Sequence, residues 1–235
     1  PDSEEYILKN VSFKINENEI VTIVGVNGAG KSTIVKLICG LYEVTKGEIL
    51  INGININKLD IRKYQQHIEA LFQDFELFAY SIEENVTLGK NGENVKMLEI
   101  FNALKIDKII NRFSDKEKTI ISSEISQGVE LSGGEKQKIA LARTIYKDSS
   151  LLVMDEPTSA LDPIAEEEIL SDIVNVAHNK RMILYVSHRL SSCKESDMIL
   201  VMNKGELVEV GNHQELINQK KEYYRLWSTQ SQYYT

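Results

Sequence analysis

The sequence predicts an α/β fold with a mainly parallel sheet, a small antiparallel β subdomain and an inserted α-helical subdomain. Three observations support this prediction. A continuous β-branched run, Ile20–Val24, leads into a glycine-rich loop and then a helical pattern. Two further strand-sized apolar runs, Leu151–Met154 and Met182–Val186, bracket a helical segment. From about Phe75 to Tyr146 the pattern is mostly helical, which indicates an inserted lobe.

The first third of the chain is predicted to run strand, loop, helix, strand. Tyr6–Ile15 alternates apolar and polar residues, and Asn16–Asn18 is typical of a turn. Because Ile20–Val24 is a continuous β-branched run, it suits a strand buried on both faces. After the glycine-rich loop, the spacing of apolar residues predicts a helix over Lys31–Leu41 and then a short strand at Gly47–Asn52.

The last third supplies the remaining strands. Its two apolar runs and the helix predicted between them, Ile164–Val176, follow β-α-β order, which implies a parallel sheet with right-handed crossovers. Met198–Val201 and Leu207–Val210 are predicted to pair as a hairpin, and the tail, His213–Gln232, is predicted to be helical.

The helical lobe is predicted to lie within a single domain. Helices are expected at Val95–Leu104 and Ile106–Phe113. We therefore predict one domain over residues 1–235, in which residues 1–74 and 147–235 form the core and the β subdomain and residues 75–146 form the inserted lobe.

Composition narrows the classes of protein that fit this chain. It has 27 Lys plus Arg against 35 Asp plus Glu, a net charge of −8, and no long basic run, which disfavours a nucleic-acid partner. No apolar stretch approaches the roughly 18 residues that span a bilayer. Cys39 and Cys193 are expected to be free thiols in a reducing compartment. The chain begins at Pro1 without a methionine, so we expect it to be part of a longer polypeptide.

A phosphate-binding loop is the strongest motif. Gly25-Val-Asn-Gly-Ala-Gly-Lys31-Ser32 fits G-x-x-x-x-G-K-[ST] and stands between a predicted strand and a predicted helix. Glycines let backbone N–H groups turn toward phosphate oxygens, and the helix N-terminus adds the positive end of its dipole. Lys31 would reach the β- and γ-phosphates, and the Ser32 hydroxyl would bind Mg²⁺. The candidate nucleotide contacts are Gly25, Asn27, Gly28, Ala29, Gly30, Lys31, Ser32 and Thr33.

Two carboxylates follow the strand predicted at Leu151–Met154. Open parallel sheets bind ligands at the carboxyl ends of their strands, so Asp155 is expected beside the phosphate loop, where it would hold Mg²⁺ through water. Glu156 would then face the γ-phosphate side, where an attacking water would lie. An acidic pair after a strand is usually a solvated helix cap, and the nearby phosphate loop favours the functional interpretation here.

A second glycine motif, Leu131-Ser-Gly-Gly-Glu135, precedes a helix predicted at Lys136–Tyr146. Ser132 and Glu135 form an S-x-x-E capping box, which by itself would explain the segment as a good helix start. Gly133 and Gly134, however, leave the first backbone N–H groups of the helix bare, which makes a second anion site.

These motifs, in this order along essentially the whole chain, resemble those of the ATP-binding cassette (ABC) ATPases. Gly25–Thr33 resembles their Walker A motif, Leu151–Glu156 their Walker B motif, and Leu131–Glu135 their signature, which usually ends in Gln rather than Glu. The resemblance also identifies a Q-loop, a D-loop and a switch histidine at Gln73, Ser159–Asp162 and His188. The stretches that resemble exporter cassettes in particular are Gln73–Gly89 and Gly205–Leu216.

The resemblance implies a role for each matched residue. The implied catalytic residues are Glu156, which activates or orients water, His188 on the γ-phosphate, Gln73 and Lys31. The implied Mg²⁺ contacts are Ser32, Gln73 and Asp155. Ser132, Gly133, Gly134 and Asp162 would contact nucleotide, the first three on the loop of a partner cassette. Simpler alternatives exist for Gln73 as a polar loop residue, His188 as a structural histidine and Asp162 as a helix N-cap.

The resemblance also implies a fold, cofactors and partners. It implies a RecA-like P-loop core, ATP and Mg²⁺, and a second cassette, identical or different, packed head to tail around two Mg-ATP. A transmembrane domain of the same polypeptide would hold the otherwise soluble chain at the cytoplasmic side of the membrane. The adenine-stacking aromatic of the family would lie upstream of residue 1. Ser126, with Glu124 nearby, stands where exporters commonly carry a Glu that touches the membrane domain.

Two other functional classes match the sequence less well. Asn203-Lys-Gly-Glu206 imitates the guanine-binding N-K-x-D motif of GTPases, but it ends in Glu and lies in a predicted hairpin turn. DNA-repair members of the ATPase superfamily separate their motifs by long coiled coils, and ribosomal members carry two cassettes in one chain. This sequence has neither sustained heptads nor a second set of motifs.

Overall fold

The computed structural model describes residues 6–89, 94–122, 128–158, 169, 171–173 and 181–231. These residues cluster into two compact units. The core unit takes the described residues of 1–70, 149–156 and 180–235, and the helical unit takes those of 71–148 and 157–179. The predicted inserted lobe, residues 75–146, falls within the helical unit.

The strands of the described residues form one sheet of six and one sheet of two. In chain order they are β1 (Ile20–Gly25), β2 (Leu50–Ile51), β3 (Ile54–Asn55), β4 (Ile68–Leu71), β5 (Leu151–Asp155), β6 (Met182–Val186), β7 (Met198–Asn203) and β8 (Glu206–Gly211). The large sheet has the order β4-β5-β6-β1-β7-β8, with β5, β6, β1 and β7 parallel and β8 antiparallel to β7. The small sheet pairs β2 with β3 antiparallel. The predicted α/β class, with its mainly parallel sheet and its hairpin, is confirmed.

Parallel pairing brings several strand ends to one edge of the large sheet. Strands β1 and β5 are apolar and buried along almost their whole length, as expected for strands covered on both faces. In the register of the sheet, Val186 lies beside Ile23 of β1 on one side and beside Asp155 of β5 on the other. The loop that follows Gly25, the acids that end β5 and the segment that follows β6 therefore leave the sheet at the same edge.

The helices are distributed over both units. In chain order, the α-helices whose bounds lie within the described residues are α1 (Lys31–Ile38), α2 (Ile61–Gln65), α3 (Ile82–Thr87), α4 (Asn94–Ala103), α5 (Asp107–Ile110), α6 (Gly133–Tyr146), α7 (His213–Gln219) and α8 (Glu222–Ser231). A short 3-10 helix, Leu190–Cys193, follows β6.

Two helix predictions in the core unit were too long. Helix α1 ends at Ile38 rather than Leu41, because Gly40 adopts a φ of 66° and the Leu41 N–H closes on the Lys36 carbonyl at 2.9 Å. The tail is two helices rather than one. Lys220 takes a left-handed φ of 53° and ends α7, and α8 begins two residues later.

The strand predictions also need correction at the edges. The strand predicted at Gly47–Asn52 is only the two residues of β2, and among residues 6–19 the structure has no strand. The turn predicted at Asn16–Asn18 is present, closed by a Glu19 N–H bond to the Asn16 carbonyl at 3.3 Å. Strand β4 had no prediction, since it is four residues long and Glu69 interrupts its apolar pattern.

A buried polar contact joins two helices of the helical unit. Arg143 of α6 donates from Nε to the Asn85 carbonyl and from Nη2 to Asn85 Oδ1, both at 2.8 Å, and from Nη1 to the Glu76 carbonyl at 2.9 Å. Asn85 of α3 is fully buried. The helices predicted at Val95–Leu104 and Ile106–Phe113 are present as α4 and α5, the second of which ends at Ile110.

Three smaller predictions have the following outcomes. Within the predicted helix Ile164–Val176, Ile169 and residues 171–173 are helical, and the others lie outside the described residues. No helix in the described part of the chain is long and apolar enough to cross a bilayer. Cys39 and Cys193 are both buried thiols rather than disulfide partners, as predicted.

Candidate nucleotide-binding site

The loop between β1 and α1 requires glycine at two of its positions. Gly25 has a φ of 148°, and a Cβ there would lie 2.2 Å from the Met202 carbonyl oxygen of β7. Gly30 has a φ of 97°, and its Cβ would lie 2.6 Å from Leu8 Cδ2. The Ala29 carbonyl accepts a hydrogen bond from Gly205 N–H at 3.2 Å. The loop is thus held by the chain around it, and side chains at its two ends would open it.

Helix α1 begins without a side-chain cap. Its N-cap is Gly30, which has no side chain to offer, and its first turn contains no acidic residue. The first N–H groups of a helix have no partner within the helix, so a capless N-terminus presents them to a ligand. With Ser32 and Thr33 in the first turn, this end of the helix can bind an anion.

Lys31 is a buried cation that lies over the loop. Its Nζ donates to the carbonyl oxygens of Gly25 at 2.9 Å and Val26 at 3.1 Å. Burial lowers the pKa of the Lys31 ammonium, and the carboxylates of Glu156 and Asp155 partly oppose that shift. The loop, the helix end and this ammonium together make a site for phosphate groups.

Asp155, the last residue of β5, is a buried carboxylate with one unpartnered oxygen. Its exposed fraction is 5%, and its Oδ1 has no hydrogen-bond partner. Burial raises the pKa of Asp155, with a further increase from the Glu156 charge, against the lowering effects of the Ser32 hydroxyl bond and the Lys31 and His188 charges. A carboxylate and a hydroxyl in contact are oxygen ligands of the kind that Mg²⁺ prefers.

The residues fit Mg²⁺ only as part of a larger ligand set. Among the described residues, no group of three or more His, Cys, Asp and Glu side chains could hold a metal ion. Magnesium usually takes one or two protein ligands and completes its shell with water and substrate phosphates. Asp155 and Ser32 suit that arrangement, so the ion would bind together with the nucleotide.

Glu156 and His188 form a close pair beside this site. His188 Nε2 lies 2.6 Å from Glu156 Oε1, and both side chains keep some exposure to solvent. Glu156 has a left-handed φ of 54°, and its N–H donates to the Val186 carbonyl at 3.1 Å. Ser187 N–H donates to the Ile23 carbonyl at 3.2 Å. The strand ends thus fix both partners at the edge where the phosphate loop begins.

Comparison with known proteins identifies the family. Residues 8–159 match the family model described as ABC transporter. The chain belongs to the ABC transporter family. It is an ATP-binding domain of the ABC type and an ATPase, and the family predicted from its motifs is confirmed.

Its relatives are proteins named for transport. The chain is 43% identical to the subtilin transport ATP-binding protein SpaT of Bacillus subtilis over 92% of its length, which is 36% of SpaT. It is 36% identical to the nisin transport ATP-binding protein NisT of Lactococcus lactis subsp. lactis, covering 97% of the chain and 38% of NisT. A solved bacterial Atm1-family ABC exporter with ATP bound matches 97% of the chain with a TM-score of 0.87 and 34% identity, over 40% of that exporter. The chain thus spans about two fifths of these relatives.

The core unit of the ABC domain brings together much of the predicted site. The phosphate loop, Lys31, Ser32, Asp155, Glu156 and His188 all belong to it. The roles predicted for these residues stay predictions. Gln73 is exposed in a turn two residues after the end of β4, and it belongs to the helical unit. Asp162, Ser126 and Glu124 lie outside the described residues.

The signature residues are at the start of α6 in the helical unit. Ser132 is its N-cap, and its capping box with Glu135 is complete, as the sequence predicts. Ser132 and Gly133 are exposed and Gly134 is half-buried, so this helix end is accessible to a second molecule.

One further residue meets the site, and nothing in the sequence signals it. Gln230, near the end of α8, bonds to the backbone on both sides of Arg189, at His188 and at Leu190.

Proposed function

We propose that this ABC domain binds Mg-ATP between its own phosphate loop and the signature of a second cassette, and hydrolyses it to power export by a membrane domain of the same polypeptide. The observation that carries the proposal is the pairing of Glu156 with His188 at 2.6 Å, next to the buried Lys31 and Asp155. A base, a cation and a metal-binding carboxylate at one sheet edge are the groups that phosphoryl transfer to water requires.

Binding depends on positive groups around the phosphates. The N–H groups at the start of α1 and the Lys31 ammonium would hold the β- and γ-phosphates. Ser32, Asp155 and Gln73 would hold Mg²⁺, directly or through water. When bound, Mg²⁺ neutralises charge on the phosphates as the reaction proceeds. The unpartnered Asp155 Oδ1 supports this assignment.

Hydrolysis then depends on a positioned water. Glu156 would accept a proton from that water as the water oxygen attacks the γ-phosphorus. The bond between the γ-phosphorus and the oxygen that bridges it to the β-phosphate breaks, which gives ADP and phosphate. His188 would contact the γ-phosphate and orient Glu156, which its 2.6 Å contact supports. The N–H groups of Gly133 and Gly134 and the Ser132 hydroxyl of the second cassette would stabilise the transferring group.

Dimerisation and coupling follow from the same arrangement. ATP that contacts both cassettes binds the closed dimer better than the open one, and hydrolysis removes that difference. The proposed partners are a second cassette, with Asp162 near the shared nucleotide, and a transmembrane domain that places the protein at the cytoplasmic face of a membrane. The names of SpaT and NisT, which include transport, support an export role. Residues 1–235 would act as one ATPase domain.

The decisive experiment is Glu156→Gln. We expect ATP binding to persist, phosphate release to fall by about 10²–10⁴-fold because the base is lost, and an ATP-bound dimer to accumulate. Phosphate release, equilibrium ATP binding and size-exclusion chromatography measure the three effects. The control is Glu195→Gln, an exposed glutamate of the core unit, which should change none of them. Unchanged turnover in Glu156→Gln contradicts the base assignment, and a preference for GTP over ATP in the same titrations contradicts the choice of nucleotide.

A further inference from the structure

The segment that carries His188 is held by a glutamine from the C-terminal helix. Gln230 Nε2 donates to the His188 carbonyl at 2.5 Å, and Gln230 Oε1 accepts from the Leu190 N–H at 2.9 Å. The residue between, Arg189, is held within the segment itself, because its N–H donates to Ser187 Oγ at 2.9 Å. The backbone from 187 to 190, which has left β6, is therefore fixed by side chains.

The chemistry of these two bonds selects an amide. A carbonyl oxygen only accepts a hydrogen bond and a backbone N–H only donates one. The Gln230 amide carries an N–H donor group and an acceptor oxygen in a single plane, so it satisfies both at once. A carboxylate would place a second acceptor against the His188 carbonyl, and an ammonium would place a donor against the Leu190 N–H.

Helix α8 is itself anchored firmly enough to serve as a support. At its start, Glu209 Oε2 of β8 accepts from Tyr223 N–H at 2.7 Å. Tyr223 is fully buried in a cluster that includes Val24 of β1 and Leu190, and Leu226 packs against that cluster. Gln230 follows Tyr223 by two helical turns and lies on the same face of α8. The face of α8 that packs against this cluster therefore also carries Gln230, whose amide bonds to the His188 carbonyl.

We propose that Gln230 is a positioning residue, which holds the His188 backbone so that the imidazole stays in contact with Glu156 and faces the γ-phosphate. This inference rests on the proposed function of His188. It makes the end of the C-terminal helix part of the support of the catalytic pair, because Gln230 bonds to the backbone on both sides of Arg189. A shift of α8 would be transmitted to His188 through two hydrogen bonds.

The test is Gln230→Ala in the full chain. Small misplacements of a catalytic group cost up to about 100-fold in rate, so we expect kcat to fall by about 10- to 100-fold. The KM for ATP, ATP binding and the unfolding midpoint should change little. Gln230→Glu keeps the side-chain length but places a carboxylate oxygen against the His188 carbonyl oxygen. We expect it to lower kcat by a similar factor. The control is Gln214→Ala, because Gln214 is exposed on α7 and bonds to Asn218 of the same helix at 3.4 Å.

A double-mutant cycle separates positioning from a general structural role. In a His188→Ala background, Gln230→Ala should cause no further loss of kcat, since the group that it positions is gone. An equal loss in both backgrounds, or a loss that tracks ATP binding or unfolding, overturns the inference. If His188→Ala lowers kcat and neither Gln230 variant does, the inference fails and the proposed function stands. If His188→Ala itself keeps full turnover, the proposed role of His188 is wrong, and the inference about Gln230, which rests on that role, is overturned with it.

Discussion

Two helices of this chain begin at glycine-rich motifs, and they begin in different ways. Helix α1 starts after Gly30, with no side-chain cap and no acid in its first turn. Helix α6 starts at Ser132 with a complete capping box, and Glu135 of that box also pairs with Arg112 at 2.6 Å. The start of α1 has no side chain that caps its N–H groups, which can therefore bind a ligand. At the start of α6, the Ser132 side chain accepts a hydrogen bond from one of the N–H groups.

This difference indicates that the two helix ends contribute to different steps, nucleotide binding and hydrolysis. The α1 end, with the Lys31 ammonium beside it, can bind phosphate by itself. The capping box of α6 consists of Ser132 and Glu135 and contains no cation comparable to Lys31. The hydrogen bond from the Glu135 N–H to Ser132 Oγ is long at 3.4 Å, so the Ser132 hydroxyl can also bond to a ligand. We therefore expect α1 to determine nucleotide affinity and α6 to determine turnover in the assembled pair.

The largest effect that sharpens this comparison is expected from Ser132→Arg. A bulky cation in place of the hydroxyl would keep the signature from the γ-phosphate of the partner, and loss of one such donor costs about 10²–10³-fold in rate. ATP affinity should stay unchanged, because α1 is untouched. Phosphate release and equilibrium binding measure the two. Asn102→Arg, which adds the same charge at an exposed position of α4, is the control. Retained turnover in Ser132→Arg rules out the role proposed for α6.

The next effect is expected from Lys31→Ala. Hydrogen bonds to charged groups are worth about 1.5–3 kcal/mol, so ATP affinity should fall by roughly 10- to 100-fold. Equilibrium binding of ATP in the presence of Mg²⁺ measures this. Lys36→Ala removes a lysine from the same helix, where Nζ lies over the Tyr42 ring at 5.6 Å, and should leave affinity unchanged. Equal affinities for wild type and Lys31→Ala would break the distinction between the two helix ends.

The smallest effect is expected from Glu135→Gln. Glutamine at this position preserves the capping box, and the Arg112 pair that would be lost has an arginine side chain that is 53% exposed. Exposed ion pairs contribute about 0–1 kcal/mol, so the free energy of unfolding should change by less than about 1 kcal/mol. Chemical denaturation measures it, and a larger loss indicates that the carboxylate itself supports the start of α6.

Burial explains which strands the sequence could predict. The central strands β1, β5 and β6 are mostly apolar and almost entirely buried, as expected where both faces of the sheet are covered. Strand β4 lies at the edge of the sheet, where a polar residue such as Glu69 is tolerated, and so its pattern is weak. The helix break at Lys220 was missed because a non-glycine residue adopts the left-handed conformation there.

The candidate site was predictable in its motifs and less so in its contacts. The phosphate loop and the acids at the end of β5 are local patterns, and they singled out Lys31 and Asp155 as site residues, whose burial the structure shows. Contact between Glu156 and His188, 32 residues apart, could be expected only from the family resemblance. Gln230 has no local signal, since its partners are backbone groups 40 and 42 residues away.

The two buried thiols lie on segments that are connected to the candidate site. Cys39 directly follows α1, whose other end holds the phosphate loop, and Cys193 ends the 3-10 helix that follows His188. Burial raises the pKa of Cys39 to about 12, so almost none of it is thiolate at neutral pH. Alkylating reagents attack the thiolate, and they would modify Cys39 only when the core opens. Cys39 can therefore report local opening of the core beside α1 without an added label.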